Sequence, residues 1–514
     1  MSEKTRTDYS IKNASVALIG KILVLLFAYA ARVVFVRVLN ETYAGANGLL
    51  NNVLATFSLS SLGIDSALVF LLYVPIIKND IPRQRVLFRE YNKIHLLTGG
   101  VIAAIAAAIY AAMPLISAES LDVPGFHLIY WLFAGNIIMC YVWAHKPMIF
   151  IASQQSYVIE IFESLQFIIQ YALQIAVLLL TKSFILYTVV FFFSIIFKNV
   201  ALTAYANRKY PYLKEKSSEK LEKEDKTRIR KNLWAILVQK FGVKLINFTD
   251  TLILSGFFGI VSIAKYANYS LILASVTQLL DKVIYSLTGS IGNLGATSEK
   301  DDVHRVYRAS FFIISVIYGV ISIGLFESID LFVQISFGEI YVYQRGITLV
   351  LCINFYLNGI RAITNVFRNS LGLFWHDRYR SIIEAVANVV FSLLMIKLFG
   401  EIGIFIGTTL SLLSVPFWIE PLVLFKNYFK VSLMRYFLQF ALYTAAMFGA
   451  GFICDRLCAL IVLPPVPAMI VRLAVSAVVP LAVVVVFFHS TSEFKFAVGI
   501  IKRMLGKLRP QKAK

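Results

Sequence analysis

Apolar runs of about twenty residues recur along the whole chain, each long enough to cross a hydrocarbon core of roughly 30 Å. They lie near 14–36, 45–77, 94–115, 127–150, 158–180, 184–205, 233–256, 262–288, 308–336, 342–366, 381–398, 401–425, 433–454 and 465–489. The pattern predicts an all-α polytopic membrane protein with fourteen transmembrane helices. A β-barrel would instead show segments of about ten residues with alternating polarity. The second run is over-long, and Gly63 and the nearby Pro75 are places for it to bend or tilt.

Composition agrees with the pattern. Hydrophobic residues make up 59% of the 514, charged residues 15%, and mean hydropathy is +0.74. A soluble chain would carry about a quarter charged residues. The formal net charge is +20, which in a soluble protein would suggest nucleic acid. Here the location of the charge excludes that partner. Roughly 35 of the Lys and Arg fall in one alternating set of loops and about 5 in the other, the positive-inside pattern.

The N-terminus, RQRVLFREYNK (83–93), residues 206–232, FWHDRYR (374–380), KNYFK (426–430) and the tail KRMLGKLRPQKAK are basic. They are assigned to the cytoplasm, beside anionic headgroups. SAESLDVPG (117–125) and ESID (327–330) are acidic or neutral and are assigned outside as loops. An even number of spans places both termini inside. MSEKTRTDYSIKN is polar and precedes a full-length span, so no cleaved signal peptide is expected.

Residues 206–232 form the one long hydrophilic connection, read as a charged linker between two similar halves. Lys21 aligns with Lys240, and after a gap of about two residues Tyr43-Ala44-Gly45-Ala46-Asn47 lies over Ala264-Lys265-Tyr266-Ala267-Asn268. The expected organisation is an N-lobe (1–205), the linker (206–232), a C-lobe (233–430), two further helices (431–490) and a basic tail (491–514). Six helices in each lobe would surround a central cationic cavity. Cys454 and Cys458 could form half of a metal site, but small core residues are the simpler reading and no metal site is assigned.

The chemistry lies in polar stripes. Lys240, Lys244, Asn247 and Thr251 fall at i, i+4, i+7 and i+11 of the seventh span, on one helix face with Asp250 beside it. Asn354, Asn358, Arg361, Asn365 and Arg368 repeat the pattern in the tenth span. Ser275, Gln278, Lys282 and Ser286, with Asp281 adjacent, do so in the eighth. Asn47, Asn51, Ser58 and Asp65 line the second, and Lys21 and Arg32 are eleven apart in the first.

A charge at a helix centre costs about 2.5–3.5 kcal/mol on insertion scales, so such stripes face a wet cavity or each other. The candidate substrate-binding residues are Lys21, Arg32, Lys240, Lys244, Asn247, Lys282, Asn358 and Arg361. Asp65, Asp250 and Asp281 are candidates for ion coupling or salt bridges. Lys21 and Lys240 could also snorkel to the inner surface, and Arg32 lies near the outer one. Tyr266 and Tyr269 could stack on sugar rings, with ordinary packing the simpler role.

No GxxxxGK[ST] loop occurs, so no Walker-type ATP site is expected. HExxH, CxxC and nucleophile-elbow motifs are missing as well, and the outer loops are short. An enzyme is therefore not expected, and no cofactor is assigned.

Particular stretches carry a resemblance. FTDTLILSGFFG (248–259) with YANYSLI (266–272), IASQQSYVI (151–159), GLFWHDRYRSIIEAVANVVFS (372–392) and GEIGIFIGTTLS (400–411) resemble the polysaccharide transporter family. These are the Wzx-like flippases of the multidrug/oligosaccharidyl-lipid/polysaccharide (MOP) superfamily. Ser153 departs from the acid expected in an Ala-Asp-Gln loop.

The resemblance implies an undecaprenyl-diphosphate-linked oligosaccharide carried from the inner to the outer leaflet of a bacterial plasma membrane. It implies alternating access driven by an ion gradient or membrane potential, and work beside polymerase and assembly enzymes. A lipid II flippase is the close alternative, and a drug/cation antiporter of the MATE type is third. A monomer is the default expectation.

Overall fold

The computed structural model describes residues 3–54, 72, 75–76, 78–142, 146–153, 155–215, 223–373 and 376–499. Side-chain surroundings are described from residue 19 onward, except for 223–248, 289 and 296. Among the described residues all regular structure is helical, as a bilayer requires where backbone polar groups must be satisfied within each segment. Eleven described helices are long and apolar enough to cross a membrane.

The chain divides into two compact units, 1–267 and 268–514. The first contains α1 (Glu3–Val38), α2 (Glu41–Leu54), α3 (Ile81–Ala111), α4 (Phe126–Met139), α5 (Tyr157–Thr181) and α6 (Phe184–Lys209). It also takes most of α7 (Lys223–Ser286), which is broken at Gly259. The second unit is built from α8 (Thr288–Thr297), α9 (Lys300–Phe337), α10 (Arg345–Ser370), α11 (Arg380–Phe399), α12 (Ile402–Ser414), α13 (Pro416–Leu424), α14 (Met434–Ala459) and α15 (Pro465–Phe488).

The first unit shows the inside-out pattern of a membrane bundle. Gln166, Gln170 and Gln174 sit at i, i+4 and i+8 on the buried face of α5 and bond in a ladder, Gln166 Nε2 to Gln170 Oε1 at 2.7 Å and Gln170 Nε2 to Gln174 Oε1 at 3.3 Å. Ser194 of α6 donates to Gln170, and Gln174 donates to the Tyr187 carbonyl. Leu165, Ile169, Leu173 and Leu180 point outward, where hydrocarbon would meet them. Polar groups with nowhere else to bond hold the two helices together.

The break in α7 has a defined cause. Gly259 adopts φ 76° and ψ −179°, a conformation essentially reserved for glycine. The break leaves the Ile260 N–H without a helical acceptor, and Glu119, from the short helix Ala118–Leu121, supplies a carboxylate oxygen at 2.8 Å. A Cβ on Gly45 of α2 would lie 2.2 Å from the Ile260 carbonyl oxygen, so glycine there allows the two backbones to touch. These contacts tie residues near 260 to the first unit. The two compact units part at Ala267.

The seventh and eighth expected spans are helices that part at Gly259, between their expected ends at 256 and 262. One span differs from the sequence reading. The fourth, expected over 127–150, is helical only to Met139 and continues as turns and a short helix, Met148–Ala152. Most of the second, including Ser58, Gly63 and Asp65, lies outside the described residues.

ESID (327–330) is not a loop: it lies within α9, and Glu327 is buried. Its carboxylate meets Arg345 at 3.2 Å, which explains how an acid persists inside the bundle. In the core of the second unit, Tyr307, Phe311 and Tyr318 of α9 pack with Phe367 of α10 and Phe425 and Tyr436. Cys454 and Cys458 are buried on α14 as small core residues.

Candidate functional site

In the second unit the deepest charges assemble around Arg361 of α10. Its Nε donates to Glu420 Oε2 at 3.1 Å and its Nη2 to Glu420 Oε1 at 2.8 Å. Its Nη1 reaches Glu384 Oε1 at 3.2 Å and Asn358 Oδ1 at 3.2 Å. Arg380 pairs with Glu420, with Glu384 at 3.3 Å and with Asp377 at 3.2 Å. Arg368 completes the chain by pairing with Asp377.

Three guanidiniums thus meet three carboxylates, and the cluster is formally neutral. Glu420 is 1% exposed, Glu384 4% and Arg368 1%. Arginine suits the place because its planar fork presents several donors at once to carboxylate oxygens.

Each partner is fixed by its helix. Arg361 and Arg368 are seven residues apart on α10 and share a face. Glu384 lies in the first turns of α11, four residues after Arg380. Glu420 sits in α13, which begins at Pro416. Proline can start a helix at little cost because its first N–H groups lack intrahelical partners.

The sequence pattern placed Arg361 among the cavity cations. Two carboxylates, on α11 and α13, offset that charge, so Arg361 holds helices together. Asn358 supports the clamp by accepting from Arg361, and donates its own amide to the Asn354 carbonyl at 3.0 Å. Asn354 turns to α12, donating to the Phe405 carbonyl at 2.9 Å and accepting from Thr409 at 2.7 Å. Asn354, Arg361 and Arg368 of the tenth-span stripe bond beyond α10, whereas Asn358 is exposed and bonds within it. Glu384 and Glu420, overlooked in the sequence, had a signal: each is an acid within an expected span, and such acids require a partner.

The remaining candidates lie elsewhere. Lys21 is half-buried on α1, next to Gly20, whose missing Cβ lets α1 approach Ser164 of α5. Arg32 is half-buried on the same helix with its guanidinium carbon 5.8 Å from the centre of the Phe35 ring. Asp250 is buried, 4% exposed, on α7. Lys240, Lys244 and Asn247 also lie on α7, but their side chains fall outside the described residues, as does Asp65 altogether.

In the second unit Lys282 is exposed and Asp281 partly so. Tyr269 is buried and donates to Asp330 Oδ1 at 2.6 Å, so it packs and bonds within the bundle.

The sequence matches no family model and no curated protein. The fold, however, has likenesses among solved structures. The lipid II flippase MurJ, in an inward closed conformation, superposes with a TM-score of 0.69 at 11% identity, over 93% of this chain and 99% of that one. A multidrug resistance MATE family transporter of the MOP superfamily, facing inward, gives 0.62 at 13% identity, over 82% and 99%. A MOP superfamily transporter from Pyrococcus furiosus, described as having a binding pocket of reverse polarity, gives 0.52 at 11% identity, over 83% and 97%. The chain therefore has the fold of MOP-superfamily flippases and transporters, and is a multi-pass membrane protein.

Proposed function

We propose that the protein is a flippase for undecaprenyl-diphosphate-linked oligosaccharide repeat units. It carries them from the inner to the outer leaflet of a bacterial plasma membrane, by alternating access, for surface polysaccharide export. The observation that carries this reading is the extent of the likeness to a lipid flippase. It runs through 93% of this chain, whereas the likeness to the MATE transporter leaves more of the chain unmatched, at 82%.

The chemistry supports the same reading. A diphosphate headgroup needs cations held inside the bilayer, and ammonium and guanidinium groups are the side chains that bind phosphate. Lys21 and Arg32 on α1 and Lys240 and Lys244 on α7 are the proposed phosphate-holding residues, with Asn247 beside them. Lys282 is kept as a further candidate, and Asp65, Asp250 and Asp281 as coupling groups. Arg361 and Asn358 move to a positioning role, because the carboxylates around Arg361 already match its charge. An ion gradient or the membrane potential supplies the drive, worth about 2.3 kcal/mol per charge at 100 mV. The lobes and linker read from the sequence, cytoplasmic termini and polymerase partners belong to the same proposal.

A second reading takes lipid II as the cargo, favoured by the cargo named for the structural neighbour. It needs the same diphosphate chemistry, and complementation of a strain lacking either activity separates the two. The test of the leading reading is depletion of the protein followed by analysis of undecaprenyl-linked glycans. Accumulation on the cytoplasmic leaflet is expected; unchanged glycans with altered drug tolerance would favour an antiporter instead.

A further inference from the structure

One end of the first unit gathers three chain segments that are distant in sequence. The start of α3 meets the chain following α6: Tyr212 donates its hydroxyl to Gln84, and Arg85 pairs with Glu215 at 2.6 Å. The turn before α5 meets the end of α6: Lys209 donates to Gln155, and Lys146 Nζ donates to Asn207 Oδ1 at 2.8 Å. These are three of the stretches whose position in the alternating loop order puts them on one side of the membrane.

Lys146 is the least compensated of these groups. It is half-buried, its one hydrogen-bond acceptor among the described residues is a neutral amide oxygen, and the charge acting on it is another cation, Lys214. Among the described residues no carboxylate pairs with Lys146, Lys209 or Lys214, and the nearby Glu215 is occupied by Arg85. Lys209 lies 5.6 Å from the centre of the Phe150 ring and 5.9 Å from that of Tyr210. Such contacts steady an ammonium without cancelling its charge. Two like charges around a partly desolvated spot carry a cost that an anion between them removes.

We propose that Lys146 and Lys214, flanked by Lys209, form a binding site for a phosphate-bearing headgroup at this end of the first unit. Lysine is a compact point charge suited to phosphate. Basic clusters beside transmembrane helix ends are where anionic headgroups settle. The site is built from residues other than those assigned to the transported diphosphate, and it stands independently of the transport reading.

The test uses the full-length protein in detergent micelles and native mass spectrometry with phosphatidylglycerol, inorganic diphosphate and phosphate-free diacylglycerol as probes. The site predicts retention of a phosphate-bearing probe that falls about tenfold in Lys146→Gln/Lys214→Gln and persists in Lys146→Arg/Lys214→Arg. Dependence shown by phosphatidylglycerol identifies a lipid source. Dependence shown by diphosphate alone identifies a soluble one. Equal retention of both phosphate probes by wild type and the glutamine variant, or a loss that extends equally to diacylglycerol, overturns the site. Lys214 is exposed, so Lys214→Gln alone leaves folding intact; it is expected to weaken retention about threefold, and no change would count against the site.

Discussion

Arg361 and Glu420 are joined by two hydrogen bonds, at 3.1 and 2.8 Å, and Glu420 also receives Arg380. One nearly inaccessible carboxylate therefore answers two guanidiniums. Removing one partner of a buried pair costs about 3–5 kcal/mol, because an uncompensated charge is left behind. Glu420→Gln leaves two cations short. Arg361→Met leaves Glu420 still served by Arg380. The expected order of melting temperatures in micelles is wild type, then Arg361→Met, then Glu420→Gln. Arg361→Lys keeps the charge but loses the two-pronged grip, and is expected to lower stability as well. A variant as stable as wild type would count against the clamp.

Gly259 and Glu119 act as a unit. At Gly259 a Cβ would suffer the positive φ and lie 3.0 Å from a Glu119 oxygen. Gly259→Ala is expected to cost about 1–3 kcal/mol. Glu119→Ala removes the acceptor for the Ile260 N–H, at a cost of about 1–3 kcal/mol, whereas Glu119→Gln retains an oxygen there. Thermal melting of the three variants should therefore show Glu119→Gln nearest to wild type. Equal losses for Gln and Ala would show that the carboxylate charge matters more than the hydrogen bond.

The long apolar runs made the helices legible, because hydrocarbon thickness fixes their length and leaves no other way to satisfy the backbone. The break near Gly259 was legible too, since the 233–288 stretch is too long for one crossing. The partners of Arg361 were not. Glu384 and Glu420 lie 23 and 59 residues further along the chain, and helix periodicity reports only which face a residue occupies, not which helix meets that face. A polar stripe looks the same whether water or another helix satisfies it, so Asn354 and Arg361 read as cavity-lining. Glu327 and Asp330 suggested a loop because their charge outweighed the surrounding apolar sequence, although burial against Arg345, Tyr269 and Thr348 accommodates them within α9.

Lys146 supplies a prediction in pH. It lies beyond the end of α4, and burial, followed by the charge on Lys214, holds its ammonium below the ordinary lysine range. With the folded value below the unfolded one, the unfolded chain binds more protons between the two. Stability therefore rises with pH across that alkaline window, and the penalty is fully present below it. A bound phosphate favours the charged form and moves Lys146 back up. Carbon-13 NMR of dimethylated lysines should show the Lys146 signal, assigned by Lys146→Arg, titrating below the other lysines and shifting upward when phosphatidylglycerol is added. Titration with the bulk of the lysines would contradict the local environment described here.

Flipping by the purified protein is the most direct test of the central claim. Vesicles carrying an undecaprenyl-diphosphate oligosaccharide on their inner leaflet would be prepared with and without the protein, under an imposed ion gradient, and the sugar scored by an externally added lectin. The account predicts that the lectin gains access in protein-containing vesicles, and more slowly with Lys240→Gln/Lys244→Gln. Equal access in protein-free and protein-containing vesicles, together with protein-dependent exchange of a cationic drug, would contradict it.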